Sequence, residues 1–225
     1  LCAFGFEANP THWPRLQEVE KAYALKGWRV HFFPSAAGTR DGNTTLWSDN
    51  DVRHEEWGAS TTVSSRILTR GDRKPTVVPV TDLSRFILEE IHGRSFDAPL
   101  PDAPSSARPP HVLMKLDIEG GEFAVLRKLI FSGALCSTIS SAFIEEHRWA
   151  VPDVQRDNPG MPPTGVSEVK QYVKQAGLTA MFEGVREPSY CPFQILELDD
   201  ETYLHDSASL SRPRRYSEIE KATLR

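Results

Sequence analysis

The sequence predicts an α/β fold, in which a mostly parallel sheet carries helices on both faces. Short apolar runs alternate along the chain with segments whose apolar residues have helical spacing, an order typical of parallel sheets. The chain has 225 residues, of which 39% are hydrophobic and 25% charged, and this ordinary globular composition rules out wholesale disorder. One sizeable domain is the simplest organisation for a chain of this length.

Composition and charge exclude several classes of protein. No apolar run approaches the roughly 20 residues that a membrane-spanning helix needs. The formal net charge of −5 argues against a protein that coats nucleic acid, so we expect no nucleic-acid partner. Cys2, Cys136 and Cys191 are too few and too scattered for a disulfide scaffold or a zinc cluster. We therefore expect reduced thiols, which favour a reducing compartment such as the cytoplasm.

The first elements follow from periodicity and end signals. Leu1–Phe6 is an apolar run that predicts a strand, and Val30–Ala37 predicts a second, buried strand. Between them, Gly27 stands where glycine ends helices, after apolar residues at i, i+3 and i+7, namely Leu16, Val19 and Tyr23. The chain starts inside a strand, without Met or a basic leader. We therefore expect a fragment that shows no signal peptide and lacks the first strand of its sheet.

A hairpin, a strand and a helix are predicted next. Asp41-Gly42 is a hairpin turn pattern, and it leads into a strand at Thr44–Trp47. Thr76–Val80 predicts another strand. The apolar residues of the segment Leu83–Ile91 have helical spacing, which predicts a helix directly after that strand.

A proline-rich insertion interrupts the middle of the chain. Residues 96–110 contain five prolines among Ser, Ala and Asp, a composition that does not pack a core. Because strands resume directly afterwards, we place this insertion inside one domain that covers residues 1–205. Residues 206–225 are polar, and we interpret them as a C-terminal tail.

The clearest strand and the clearest helix follow the insertion. Val112–Leu116 predicts a buried strand, and Glu122–Ser132 predicts a helix that Gly133 ends. Thr138–Ile144 predicts the next strand, because it is short, apolar and rich in β-branched residues.

The last elements are predicted to be a helix and a hairpin. The helix is expected between a Thr164 cap and Gly177. Leu178–Val185 and Phe193–Leu198 are then expected to pair as a closing antiparallel hairpin.

Two of the predicted strand ends carry residues that suit a cofactor, because ligands of open α/β sheets bind at the carboxyl ends of the strands. Glu7 follows the first strand. An acid there either accepts hydrogen bonds from both ribose hydroxyls of a nucleotide or simply stabilises the start of a helix. Small residues after the second strand, Ser35 and Ala36 among them, leave room for a flat ring or for close backbone packing.

The run Lys115–Glu122 passes from a strand into a helix and contains three further candidates. Asp117 is expected to point into the cleft at the strand end. Glu119 and Glu122 lie near the helix start, where acids either stabilise the helix or take part in chemistry. No His or Cys stands at ligand spacing beside them, so we expect no metal.

These segments occur in an order that resembles one family. Ala3–Pro10, Ser35–Gly38, Val80–Leu83 and the K-x-D-x-E-G-x-E run of Lys115–Glu122 are similar to the FkbM-type family of S-adenosylmethionine-dependent methyltransferases. The resemblance covers residues 3–198. It implies a class I methyltransferase fold, which is a Rossmann-like sheet with an antiparallel last strand, and S-adenosylmethionine as the cofactor. The family's first strand and glycine-rich loop are not in this sequence.

The resemblance also implies roles for individual residues. Glu7 matches the acid that binds the cofactor ribose, and Ala36 lies near the adenine. Asn9 and Ser35 belong to the same cofactor-binding group. Asp117 matches the family's acid at the end of the fourth strand, where it would contact the cofactor and face the methyl-transfer cleft.

The expected reaction is O-methylation of a hydroxyl on a small molecule or a glycan. A base near the proton that the hydroxyl loses typically contributes about 10²–10⁴-fold. Asp117 is the first candidate for that base and His147, just after a strand, the second, with Glu119 as a further catalytic candidate. Two other functions stay open, an NAD(P)-dependent oxidoreductase, because Glu7 would serve NAD equally well, and a non-catalytic scaffold or interaction domain.

Overall fold

The computed structural model describes residues 2–48, 61, 74–94, 111–157, 160, 163–182 and 194–197. In these ranges the chain is a mixed α/β protein, as predicted. Its hydrogen-bonded strands form one two-stranded sheet and two three-stranded sheets, rather than one continuous sheet. The predicted insertion at 96–110 and the predicted tail at 206–225 lie outside the described residues.

The N-terminal part is a parallel strand–helix–strand unit. Strand β1 covers Cys2–Phe6, helix α1 covers Trp13–Leu25, and strand β2 covers Arg29–Phe33 in parallel pairing with β1. Gly27 follows the helix with a φ of 76°, a left-handed conformation that glycine adopts without strain. The strand, the helix and its end are therefore confirmed.

The single buried strand predicted at Val30–Ala37 is wrong. The chain turns at Pro34, and β3 starts again at Ala36 and ends at Gly38. Proline has no N–H for a sheet ladder, and the Ser35 N–H bonds back to the Phe33 oxygen at 2.8 Å, which closes a tight turn. No residue of β2 is buried, although Phe33 packs against the main core.

The mixed sheet is built around a central strand. Strand β5, Lys74–Asp82, pairs in parallel with β3 and antiparallel with β4, Gly42–Ser48. The predicted hairpin at Asp41-Gly42 is therefore wrong, since the two strands flanking the turn pair with β5 and not with each other. The Asp41 carboxylate explains this, because it accepts hydrogen bonds from the Asp82 N–H and from Arg85 and so anchors the turn beside β5.

A short helix continues directly from β5. Helix α2 covers Leu83–Phe86 and runs on as a π-helical turn at Ile87–Ile91, which confirms the predicted helix. Asp82 caps it, because its Oδ1 accepts the backbone N–H groups of Ser84 and Arg85. The ring of Phe86 also packs edge-on against two rings of β1, those of Phe4 and Phe6.

A parallel sheet and its helix form the packed part of the molecule. The sheet consists of β6, Leu113–Leu116, β7, Ser141–Ile144, and β8, Gln194–Glu197, all mutually parallel. Helix α3, Glu122–Phe131, follows β6 and buries its apolar face in the main core. The predicted strand and helix at 112–132 are confirmed to within one residue at each end, although Leu116 is the buried residue of β6.

The strand predicted at Thr138–Ile144 starts three residues late. Helix α4 occupies Ala134–Thr138, and β7 begins only at Ser141. Gly133 has a φ of 76° and separates α3 from α4, whose Ala134 and Leu135 are buried. Thr138 is the last residue of α4 and the Ile139 N–H still donates to the Leu135 oxygen at 3.2 Å, so the end of this helix delays the strand.

The predictions for the end of the chain are wrong in two respects. After helix α5, Val151–Asp157, helix α6 covers Val166–Phe182 and passes through Gly177 instead of ending there. A glycine inside a helix costs only about 1 kcal/mol relative to alanine, and good helix formers flank it. The predicted antiparallel hairpin does not form, because 178–182 are helical and β8 pairs with β7 in parallel.

Cysteine chemistry also differs from the expectation. Cys2 is free, but Cys136, at the middle of α4, is disulfide-bonded. The expectation of reduced thiols is therefore wrong for Cys136, and a disulfide gives no support to a cytoplasmic location. Within the described ranges, no helix is both long and apolar enough to cross a lipid bilayer.

Candidate functional site

Glu7 directly follows β1 at its carboxyl end. Its backbone N–H donates to the Phe33 oxygen at 3.1 Å, which fixes it beside the end of β2. Its Oε1 accepts the Asn9 N–H at 2.6 Å, and its Oε2 lies 3.5 Å from Nδ1 of His12. The side chain is about one third exposed, so one carboxylate oxygen is held by the backbone while the group still reaches solvent.

Asn9, Ser35 and Ala36, which were also predicted to bind a cofactor, take part in the packing and hydrogen bonding of the fold itself. Asn9 is buried, and its Oδ1 accepts hydrogen bonds from both the N–H and the hydroxyl of Thr11. The hydroxyl of Ser35 shares a 2.8 Å hydrogen bond with that of Thr81, and Ala36 is a buried residue that begins β3. Their roles toward a cofactor stay predictions.

A second group of polar residues surrounds His147, and we call it the His147 cluster: Asp117, Glu119, Glu122, Glu145 and His147. Asp117 is the first residue after β6, and Glu145 is the first after β7. Because β6 and β7 are neighbouring parallel strands, their carboxyl ends lie side by side, and the Glu145 N–H donates to the Leu116 oxygen at 3.0 Å.

Glu122 contacts both the backbone and the imidazole of His147. It is the first residue of α3 and is fully buried. Its Oε1 accepts the backbone N–H of His147 at 2.6 Å and lies 3.2 Å from the ring Nδ1, while its Oε2 accepts the Gly120 N–H at 2.9 Å. This network assigns a proton to Nδ1 and leaves Nε2 on the opposite side of the ring.

Nε2 of His147 faces three further carboxylates. It lies 3.6 Å from Oε2 of Glu119, 3.7 Å from Oε1 of Glu145 and 3.9 Å from Oδ1 of Asp117. The imidazole side chain is only 9% exposed. On its other oxygen, Asp117 pairs with the ammonium of Lys115 at 3.2 Å. The cluster thus brings together all three of the residues that the sequence singled out as catalytic.

The charges of the cluster shift two pKa values. Burial alone would lower the pKa of His147, but the hydrogen bond that its imidazole donates to Glu122 and the charges of Glu119, Glu122 and Asp117 outweigh burial and raise the pKa to about 9. Burial raises the pKa of Glu119, attraction by His147 opposes this, and repulsion from the neighbouring carboxylates adds to it. The cluster therefore carries an excess of negative charge.

The loop between β6 and α3 aims Glu119 into this group. Glu119 has a φ of 52°, a left-handed conformation that is uncommon for a residue other than glycine. Gly120 follows with a φ of 97°, which a side chain would strain, and its N–H is the one bound by Glu122. The Glu-Gly pair of the sequence run thus turns the backbone so that Glu119 and Glu122 approach the same histidine.

Sequence reasoning missed one member of the cluster, Glu145, and left the role of another, Glu122, open. Glu145 stands in the run Ile144-Glu145-Glu146-His147, directly after a predicted strand, and its position there was the available signal. Glu122 was predicted either to stabilise the helix start or to take part in chemistry, but nothing in the sequence indicated that its carboxylate would reach a residue 25 positions away.

The comparisons with known proteins place the chain in a family. A family model described as the methyltransferase FkbM domain matches residues 2–178, which include β1, Glu7 and the whole His147 cluster. Neither the comparison with curated proteins nor the comparison with solved structures gave a match. The match covers well over half of the chain and agrees with the order of its motifs, so this chain belongs to the FkbM methyltransferase family.

Proposed function

We propose that the chain transfers a methyl group from S-adenosylmethionine to a hydroxyl of a small molecule or a glycan. The observation that carries this proposal is the His147 cluster at the adjacent carboxyl ends of β6 and β7. Ligands of open α/β sheets bind at this end of the strands. Its negative charge favours a cationic sulfonium, and its carboxylates are able to take the proton of a hydroxyl.

On the cofactor side, Glu7 is the residue that we propose to bind the ribose. Its Oε1 is fixed by the Asn9 N–H, so the carboxylate keeps one orientation without a ligand. A carboxylate that accepts two hydroxyl hydrogen bonds contributes more than a neutral acceptor would. Ala36, buried at the start of β3, is the proposed neighbour of the adenine, and Asn9 and Ser35 support this part of the site.

On the acceptor side, the reaction is an in-line displacement. The acceptor oxygen would form a bond to the methyl carbon while the carbon–sulfur bond breaks. The electron pair of the broken bond would stay on sulfur, and the leaving group would be S-adenosylhomocysteine. The hydroxyl proton passes to a base. We assign Asp117 as that base, because it follows β6 directly and is about one third exposed, and His147 or Glu119 as the groups that orient the acceptor.

Calorimetric titration with S-adenosylhomocysteine tests this proposal. The wild-type chain should bind it, and Glu7→Ala should weaken binding at least about tenfold, because a hydrogen bond to a charged group contributes about 1.5–3 kcal/mol. Glu18→Ala is the matched control, since Glu18 is an exposed acid of α1 that pairs only with Arg15 among the contacts seen here. This variant should bind like the wild type.

Two results would overturn the proposal. A folded wild-type chain that binds no S-adenosylhomocysteine favours the non-catalytic alternative, an interaction domain of this family. Binding of NAD under the same conditions, in preference to S-adenosylhomocysteine, favours the oxidoreductase alternative, because a ribose-binding acid serves both cofactors.

A further inference from the structure

We propose that Asp117, Glu145 and His147 form a binding site for a divalent metal ion that accepts both oxygen and nitrogen ligands, such as Mn²⁺ or Zn²⁺. The three residues each offer one ligand atom, and these atoms lie within 4.8 Å of one another. The first two follow adjacent parallel strands, so the backbone places them side by side. The sequence alone predicted no metal, because neither the strand pairing nor the reach of His147 is visible in it.

The orientation of His147 is the observation that points to a ligand. Its side chain is nine-tenths buried, and its Nδ1 is directed at the fully buried carboxylate of Glu122, 3.2 Å away. Metal-binding histidines commonly donate their other ring N–H to a carboxylate in this way, which fixes the tautomer and exposes the lone pair of the second nitrogen. Here Nε2 is the second nitrogen, and it faces the carboxylates of Asp117 and Glu145.

Nε2 is too far from these carboxylates for a direct hydrogen bond but well placed for a shared ion. Its distances to Asp117 and Glu145, 3.9 and 3.7 Å, exceed the hydrogen-bond range. Two atoms that each lie about 2.1 Å from one ion are at most about 4.2 Å apart. Both measured separations between Nε2 and the proposed carboxylate ligands fit within this limit, so small side-chain movements complete the coordination.

Charge balance supports the same conclusion. Four carboxylates face one imidazole, those of Asp117, Glu119, Glu122 and Glu145. The ammonium of Lys115 lies 3.2 Å from the Asp117 carboxylate and offsets part of its charge, but the lysine side chain is about half exposed. A divalent ion at Nε2 neutralises the remaining repulsion, and Glu119 is positioned as a further ligand from the facing loop.

The donor set selects the kind of ion. Carboxylate oxygens suit hard ions such as Mg²⁺ and Ca²⁺, whereas imidazole suits first-row transition metals and zinc. Two carboxylates with one imidazole therefore favour Mn²⁺ or Zn²⁺ over Mg²⁺. An ion at this place would lower the pKa of a hydroxyl bound to it, so with Asp117 coordinated the ion would activate the acceptor hydroxyl in place of Asp117 as a base. This use of the ion rests on the proposed O-methylation. Binding of the ion itself does not depend on that function.

Titration with Mn²⁺, followed by the loss of its free-ion electron paramagnetic resonance signal, tests the site on the full chain. The wild type should bind one ion, and Zn²⁺ should displace it. Asp117→Asn and Glu145→Gln should each weaken binding at least about tenfold, and Glu122→Gln, which only positions His147, should weaken it about 10–100-fold. Glu90→Gln changes an exposed acid on the turn after α2 and should leave binding unchanged.

Circular dichroism of each variant shows whether it is folded, so that a loss of metal binding is not mistaken for unfolding. Asp117→Asn should fold, because it changes a partly exposed loop residue outside the core. The proposal fails if the folded wild type binds neither Mn²⁺ nor Zn²⁺, or if Asp117→Asn and Glu145→Gln bind Mn²⁺ as the wild type does. Because the readout needs no cofactor, loss of metal binding and loss of S-adenosylhomocysteine binding are independent outcomes.

Discussion

Helices α1 and α3 occupy similar places after their strands but are held by different forces. Helix α1 has 13 residues and buries none of them, and Leu25 at its end is 91% exposed. Helix α3 has 10 residues and buries six, including Leu126 and Leu129. The first helix thus lies on the surface of a two-stranded sheet, and the second lies inside the main core.

The contacts of each helix explain this difference. Helix α1 is tied to β2 by polar contacts, because Glu20 accepts the Phe32 N–H at 3.1 Å and lies 3.0 Å from Nδ1 of His31. Helix α3 is held by apolar burial and by the fully buried Glu122. Solvent and salt weaken the first kind of contact but not the second. The His147 cluster therefore lies beside the deeply buried helix α3, and Glu7 lies beside the exposed helix α1.

The largest expected effect is on the core of α3. Leu126→Ala removes a fully buried side chain and should lower the free energy of unfolding by about 2–5 kcal/mol. The matched change in α1, Leu25→Ala, should alter it by less than about 0.5 kcal/mol, because that side chain is already in water. Urea denaturation of both variants measures the difference. Equal losses in the two variants would show that α1 is buried in solution and that the two regions are alike.

The next effect concerns a buried acid. Glu122 accepts hydrogen bonds on both oxygens, from the N–H groups of His147 and Gly120. In Glu122→Gln one oxygen becomes an NH₂ donor that faces another donor, so one backbone N–H is left unsatisfied at a cost of about 1–3 kcal/mol. Chemical denaturation of this variant checks the value. A variant as stable as the wild type would mean that the carboxylate is not needed to hold His147.

Much of this architecture is predictable from local sequence signals, and the remainder depends on tertiary contacts. Strand β6 and helix α3 are marked by their own apolar runs and by Gly133, so their bounds were predicted closely. The break of the second strand at Pro34 had a local signal in the proline itself, whereas the continuation of α6 past Gly177 depends on a balance of about 1 kcal/mol that no local pattern resolves.

The candidate site likewise has residues that local sequence signals predict and residues whose positions depend on tertiary contacts. Asp117 and Glu119 are visible as a motif, because the strand, the turn and the helix that hold them are consecutive in the chain. The approach of Glu122 to His147 depends on the pairing of β6 with β7, which brings together segments about 28 residues apart. The disulfide at Cys136 was likewise not predictable, since the spacing of cysteines alone does not reveal their pairing.

The smallest expected effect is the acid sensitivity of the contact between α1 and β2. The hydrogen bond from His31, then that from the Phe32 N–H, lowers the pKa of Glu20 below its usual 4.5. A carboxylate with a lowered pKa in the folded state contributes stability that is present above its usual pKa and is lost as the pH falls through the lowered value. For an exposed pair this contribution is about 0–1 kcal/mol.

Glu20→Gln should therefore be slightly less stable than the wild type at neutral pH, and the difference should shrink as the pH falls below 4.5. Thermal unfolding of both proteins across the acid range, at low and high salt, measures this. A difference that stays constant down the acid range would show that α1 is held by something other than this ionised contact, and the contrast with α3 would then lose its electrostatic basis.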